Sequence, residues 1–442
     1  MTDFDWQLHP DAEALVDRLL DEATERSLWL AEFRTTLDVR TSTRIQDWLD
    51  HVAAPVTANE LAAVGYVEGW RGAPGVWRHP DAQLPAIVMA PWYRVALRVD
   101  DAAAAAQANG SDRAVVGSPL SGYREVELHD EHDVTVLAVE RRSWAAGVMP
   151  VVFTDAERAA ASAAWQTLAE RPRTRLGAAG VAAQLPFAGR AVELVGVDLA
   201  ASYFLQLERE FWQRSNTAGM LQHARQDRLG LGWGNNDHHT FRSSRTAFRP
   251  LVQFLTTLGF GLRERFYAGA EAGWGAQVLE HPGCGGVIFA DVDLTPSEVE
   301  IDFARTPLAE PLEFGTVGMW CALHGESVLE AGMHHLEGQF EFDGLRDELA
   351  ARGVTSMAPF SDFTHLRQAF TEAEVWKVPQ ERMDALVEAG HLTPPRAAEI
   401  GRDGAAGSHL ENLARRGGFK GFNQHNVSTT MRATHPRDYV PR

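Results

Sequence analysis

One stretch of the second half of this chain repeats the plan of a stretch in the first. From Asp38 the sequence reads DVRTSTRIQDWLDHV and then GYVEGWRGAPGVWRHPDAQLPAIVMA. From Thr240 it reads TFRSSRTAFRPLVQFLTTLGF and then YAGAEAGWGAQVLEHPGCGGVIFADV. Both run from an arginine and a hydroxyl residue through an amphipathic helix to Gly-aromatic, Gly-Trp, His-Pro and an apolar strand. Arg40 stands as far before His79 as Arg242 does before His281. Self-similarity at a long, fixed spacing marks a duplicated supersecondary unit, and so restricts the chain to folds built from such units.

Periodicity gives the unit its content. In the second copy it predicts a strand over 237–242, a helix over 246–258 and strands near 262–267, 275–279 and 286–292. A further βαβββ unit fits Arg94–Arg141: RVALRV, the helix DAAAAAQAN, then AVVG, REVEL and VTVLAV. Another opens near Gly332 with the strand GMHHLEGQFEF and the helix DGLRDELAARG. Four such units, paired into two curled half-barrels with added helices, make an α+β fold. The expected divisions are residues 1–165, a connecting segment 166–230, and 231–442. Residues 11–29 read as an amphipathic helix, 167–190 and 392–408 as irregular connections, and the last residues as a loosely held tail.

Composition narrows the function. The chain has 442 residues, enough for two or three cores, and a formal net charge of −19. That charge argues against binding nucleic acid or anionic membranes. No apolar run approaches the roughly 18–20 residues that span a bilayer, and the acidic first residues do not resemble a secretory signal. The two cysteines, Cys284 and Cys321, exclude a disulfide framework and a cysteine-based zinc site. The expectation is a cytoplasmic protein that handles a small molecule; a homo-oligomer stays open.

The chemistry lies in two histidine pairs. Side chains on a strand alternate faces, so His238, Thr240 and Arg242 share one face, while His239 and Phe241 share the other. Phe241 suits packing against the following helix, which leaves His238 for the interior of a curled sheet. In GMHHLEGQFEF the same test separates His335, with Glu337 and Gln339, from the more apolar face carrying His334. Two neutral imidazoles from separate strands and one carboxylate form a facial triad that leaves positions open on Fe(II). Glu411, on a late strand, is the candidate carboxylate and Glu337 is the rival. Against this stands the plainer reading, in which the histidines are satisfied core or edge residues and Arg242 is a salt-bridged barrel residue.

The motifs resemble a known family. DHHTFRSSR, LHGESVLEAGMHHLE, THLRQAFTEAE and SHLENLARRGGF are similar to segments of the 2-oxoadipate dioxygenase/decarboxylase (hydroxyglutarate synthase) family, within the vicinal oxygen chelate superfamily. The resemblance covers roughly Leu231 to Asn423. It implies His238, His335 and Glu411 as metal ligands, Arg242 as a catalytic clamp on the substrate carboxylate, and Fe(II), O₂ and a 2-oxo acid that is oxidatively decarboxylated to a hydroxy acid. Gln339 and Gln368 are candidate substrate contacts, and Phe419 and Phe422 candidate walls against water. Two departures bear on substrate: Glu337 stands where the family has threonine, and about 230 residues precede the first motif. Aligned on Arg40, the first half carries Thr36 at the ligand position, so that half is expected to be free of metal. A metal-free half followed by a metal-bearing half resembles 4-hydroxyphenylpyruvate dioxygenase, and RRGGFKGFNQ is similar to that family's C-terminal segment. An aromatic 2-oxo acid is therefore an alternative substrate, and a metal-free small-molecule-binding protein an alternative class.

Overall fold

The computed structural model describes residues 6–423 apart from 70–74, 175, 271 and 312. The expected C-terminal tail and Trp70 of the first copy lie outside the described residues.

Two mixed sheets hold the four units. The first contains β1 (Leu49–Ala54), β2 (Val67–Glu68), β3 (Val76–Arg78), β4 (Ala86–Met89), β5 (Tyr93–Arg98), β6 (Tyr123–Glu131) and β7 (Val134–Arg141), in the order β2-β3-β4-β1-β5-β7-β6. The second contains β8 (Asn236–Arg242), β9 (Gly261–Tyr267), β10 (Trp274–Glu280), β11 (Val287–Asp293), β12 (His335–Gln339), β13 (Ser361–Phe363) and β14 (Leu366–Phe370). A small ribbon follows, β15 (Val375–Trp376) with β16 (Ala405–Ala406), and β17 (His409–Arg415) returns to the second sheet. Its order is β13-β14-β17-β12-β8-β11-β10-β9. Within a unit the first and last strands pair in parallel, as in β8–β11 and β12–β17, and the two units join antiparallel through β8–β12. The first sheet repeats this plan, with β1–β4 and β5–β7 parallel and β1–β5 antiparallel. The unit at 94–141 lacks one strand: AVVG supplies only an isolated bridge between Val116 and Glu125.

Strand alternation decides which face meets which layer. Phe241 points away from His238 and stacks on Phe204 with ring centroids 5.7 Å apart, in a core shared with Phe248, Leu251, Phe254 and Leu255 of the helix Arg245–Thr257. Leu336 and Leu410 join the same core from β12 and β17. The other face of the second sheet carries the histidines and a separate aromatic cluster. The first sheet packs its own core against the helices Pro10–Arg26 and Leu28–Thr41, with Leu229 and Leu231 reaching in from the second half.

The duplication is visible in one lock. Gly65 (φ +90°) and Gly259 (φ +96°) follow the unit's helix in conformations that L side chains rarely adopt. A Cβ there would meet the Nε2 of His79 at 2.5 Å and of His281 at 2.7 Å. The next residue, Tyr66 or Phe260, sets its ring edge-on to that histidine, at 87° and 80°.

Upstream of the lock the expected correspondence fails. Ile45, Trp48 and Val52 fall at helical spacing, yet Ile45–Trp48 is a 3-10 turn and Leu49–Ala54 is β1. The helix of this unit is Ala58–Ala63, begun by a Thr57–Glu60 capping box. Thr36 therefore matches no ligand position; it lies half-buried on the helix Leu28–Thr41 and donates to the Glu32 carbonyl. By sheet register carried from the His79 and His281 positions, His51 corresponds to His238, while the counterparts of His335 (beside Thr240) and Glu411 (beside Glu337) are Arg94 (beside Ala53) and Leu137 (beside Ala96).

Two segments expected to be irregular are largely helical. Residues 155–169, 177–182, 185–213 and 217–227 form helices, with Pro186 in a first turn and Gly196 at a kink. Residues 394–403 form another, capped by Thr393, with Pro394 and Pro395 in the first turn, where a missing N–H costs nothing.

Candidate metal centre

Three neighbouring strands, β8, β12 and β17, bring the donors together. Register sets His335 beside Thr240 on one side, and Glu337 beside Glu411 on the other. One ligand atom each from His238, His335 and Glu411 lies within 4.8 Å of the others, and all three side chains are buried. Glu411 Oε2 is 3.0 Å from His335 Nε2 and 3.9 Å from His238 Nε2. The Thr240 hydroxyl is 2.8 Å from His335 Nε2. The amide of Gln368 donates to Glu411 Oε1 at 3.0 Å and to Glu337 Oε1 at 3.2 Å.

Between the rival carboxylates the geometry discriminates. Glu411 faces the Nε2 atoms of both rings, whereas Glu337 touches His238 on its opposite nitrogen, Nδ1. Asp237 also approaches that nitrogen, at 3.4 Å, while Arg415 holds both Asp237 oxygens at 3.0 and 3.1 Å.

Burial sets the protonation states. It pushes His335 down to about 3 and lowers His238, so both rings are neutral at pH 7 and have lone pairs to offer. It raises Glu411 and Glu337 above the ordinary carboxylate range. Burial acts the same way on Asp237, but Arg415 and His238 outweigh it and hold that carboxyl low.

The donor set fits a divalent cation. Asp237, Glu337 and Glu411 are buried together with Arg415 as their guanidinium partner, which leaves a surplus of two negative charges when all are ionised. Glu337 Oε2, which lies against His238 Nδ1, makes no hydrogen bond among the described residues. Two neutral imidazoles and a carboxylate also match the ligand preference of Fe(II), with positions left open.

Over the donors lies a cavity of about 50 Å³, room for a water or two, lined by Phe266, Trp274, Phe289, Phe360, Phe370 and Phe422 as well as by the ligands, Thr240, Gln368, Asp291 and Asn423. Phe289 packs against the His238 ring at 4.4 Å, and Phe422 sits edge-on to Phe289 at 4.8 Å. The expected site residues are thus not all together. Gln368 and Phe422 are at the centre. Arg242 lies fully buried just outside the cavity wall; its Nε is 4.0 Å from Asp291, and Nε and Nη2 lack hydrogen-bond partners. Gln339 shares the strand face of His335 but lies at its far end, donating to Asp237 at 3.1 Å and lining a different cavity. Phe419 follows a turn through Gly417 and Gly418, both at positive φ, and packs on His365 at 4.9 Å, away from the site. Asp291, which burial pushes up to about 8, and Phe289 escaped the sequence reading. They alternate with apolar residues on β11, so strand parity would have placed them opposite Thr240 and Arg242.

Fold and site together set a candidate metal centre between paired βαβββ units, the vicinal oxygen chelate architecture. No protein-family model and no curated protein matches the chain. Among solved structures it is similar to a triple mutant of 4-hydroxymandelate synthase from Streptomyces coelicolor, at 13% identity and TM-score 0.30, over 88% of this chain and 98% of that one. A xylose isomerase-like TIM barrel/4-hydroxyphenylpyruvate dioxygenase fusion protein is 12% identical at TM-score 0.25, over 88% of this chain and 52% of that one. The uncharacterized protein YdcJ from Shigella flexneri is 11% identical at TM-score 0.27, over 60% and 74%. Likenesses this distant decide no chemistry; the strand order and the donor geometry carry the assignment.

Proposed function

We propose that the protein is a non-haem Fe(II) dioxygenase that decarboxylates a 2-oxo acid with O₂ and leaves a hydroxylated product. The observation that carries this is the meeting of His238, His335 and Glu411 in a buried centre. Iron held there would supply Lewis acidity and the electrons that activate O₂. The chain supplies the rest. The His238 and His335 Nε2 atoms and the Glu411 carboxylate hold the ion, with Gln368 fixing Glu411 in place. The phenylalanine rings exclude water from the reacting face. Arg242 contributes a fixed positive charge behind that face, able to receive a substrate carboxylate bidentately.

Two substrate classes divide on that arginine. A dicarboxylate such as 2-oxoadipate needs the Arg242 guanidinium, and reaching it means displacing Asp291. The aromatic wall instead favours an aromatic 2-oxo acid such as 4-hydroxyphenylpyruvate, whose ring stacks where a second carboxylate would be desolvated. Oxygen uptake by the iron-loaded protein with each compound separates the two. Uptake with 2-oxoadipate that is lost in Arg242→Met assigns the dicarboxylate, and uptake with 4-hydroxyphenylpyruvate that survives it assigns the aromatic acid. No uptake with any 2-oxo acid would favour a small-molecule-binding protein instead.

A further inference from the structure

We propose that a cavity between the two sheets, walled in part by the guanidiniums of Arg98 and Arg78, is a binding site for a small oxyanion, a carboxylate or a phosphate. It lies apart from the three metal-binding side chains and is independent of the reaction they support.

The duplication builds this cavity. It holds about 150 Å³, and both halves line it with the same positions of their repeat. By sheet register Arg78 corresponds to Glu280, His79 to His281 and Arg98 to Gln339, and all six stand in its wall. The halves have diverged in charge. Where the second offers a carboxylate and an amide, the first offers two arginines. In a chain of net charge −19, this wall runs against the sign of the whole molecule.

The carboxylates that line the cavity already have cations of their own. Asp50 is held by Arg141, Asp47 by Arg44 at 2.7 Å, and Glu280 by Lys420 and Arg263 at 3.3 Å each. Arg78 lies over the Trp144 ring at 4.2 Å. Arg98 differs from all of these. It is half-buried between this cavity and a second of about 30 Å³, yet among the described residues its side chain makes no hydrogen bond and no ion pair. Arg141 and Arg209 stand near enough to repel it. Burial lowers Arg98 and pushes Arg78 down to about 10, and both guanidiniums keep their charge at neutral pH.

A charge enclosed without a partner is costly, and an anion from solvent removes that cost. The planar fork of Arg98 fits two oxygens of one carboxylate or phosphate, and Arg78 adds a second positive charge to the same wall. The volume admits inorganic phosphate or succinate. Gln83 and Gly285, both exposed at the rim, leave a way in. A bound anion would touch both halves of the molecule and tie one to the other.

The test titrates the full-length protein with inorganic phosphate and with succinate, at an ionic strength held constant with chloride, by calorimetry and thermal melting. At least one of the two should bind at one site per chain and raise the melting temperature. Binding of phosphate alone assigns a phosphorylated ligand, of succinate alone a carboxylate, and of both an unselective oxyanion site. Arg98→Met should weaken binding roughly 10–100-fold, as expected for losing hydrogen bonds from a charged donor. Without anion that variant should be no less stable than the wild type, because it removes an unpaired enclosed charge. Arg98→Lys keeps the charge but not the fork, so it should bind with intermediate affinity, and it carries the test if Arg98→Met does not fold. His238→Ala and Arg242→Met should each leave anion binding unchanged. The proposal is overturned if neither anion binds, if the Arg98 variants bind as tightly as the wild type, or if binding is lost in His238→Ala or Arg242→Met instead. A protein that binds the anion but consumes no O₂ would overturn the oxygenase reading and leave this one intact.

Discussion

The centre's behaviour should follow from the state of single side chains. Removing a ligand differs in kind from removing its hydrogen-bond partner, so His238→Ala should weaken Fe(II) binding by more than about 100-fold, beyond the range expected for an outer contact. Metal analysis after gel filtration checks this, and retained iron would refute the ligand assignment. The pH dependence has a definite sign. Burial raises Glu411 and Glu337, so the metal-free protein keeps their protons to higher pH than exposed carboxylates would. Binding the ion must expel those protons, and affinity should therefore rise with pH through that shifted range. His335, pushed down to about 3, is already neutral there and adds nothing to the slope. Proton release in weakly buffered titrations should track ion uptake, and an affinity indifferent to pH would contradict it.

The element scale shows what the sequence reveals and what it conceals. The unit 236–293 was legible within a residue or two at each end, because its strands alternate and its helix is strongly amphipathic. Strand parity also picked His238 over His239 and His335 over His334, since the face of the sheet that a side chain takes is a local property. The choice between Glu337 and Glu411 was not local: it depends on β12 and β17 lying parallel in one register, a contact between distant stretches. The helices over 155–227 were obscured by their own Pro and Gly, which mark ends and a kink and not an irregular chain. In the first copy, helical spacing of Ile45, Trp48 and Val52 masked a strand, and only the Gly–His lock preserved the correspondence. That lock gives a prediction. Gly259→Ala would force a Cβ into the His281 ring and Val197 at a positive φ, so it should destabilise the protein by more than about 1 kcal/mol. Urea unfolding measures it, and a neutral effect would show that the lock tolerates side chains.

Across the molecule, the two sheets hold charge in opposite ways. In the first, Asp50 is bound by Arg141 through two hydrogen bonds of 2.5 and 2.7 Å, with His51 on the same carboxyl at 2.7 Å. Burial pushes Asp50 up, but Arg141 and His51 outweigh it and hold it well below the usual range. A carboxyl lowered by folding stabilises the native state above its unfolded value, and the benefit fades as pH falls below that value. Asp50→Asn, which strands Arg141, should cost on the order of 3–5 kcal/mol at neutral pH, and less in acid, by urea titration at both. In the second sheet Arg415 offsets one of the three buried carboxyls Asp237, Glu337 and Glu411, which leaves a negative surplus once all are ionised. A divalent ion at about 100 times its Kd should then stabilise the protein by roughly 2.7 kcal/mol, and a chelator should reverse the shift in melting temperature.

The donors also straddle a seam. His238 belongs to one βαβββ unit, and His335 and Glu411 belong to the next, joined to it in the sheet through β8 and β12. Neither unit owns a complete set, so an ion held there would be a rivet between two separately encoded pieces, complete only once they have been brought into register. Capture of iron would accordingly report the last docking step of assembly, and a chain severed between 293 and 335 would regain the metal only on reunion of its parts.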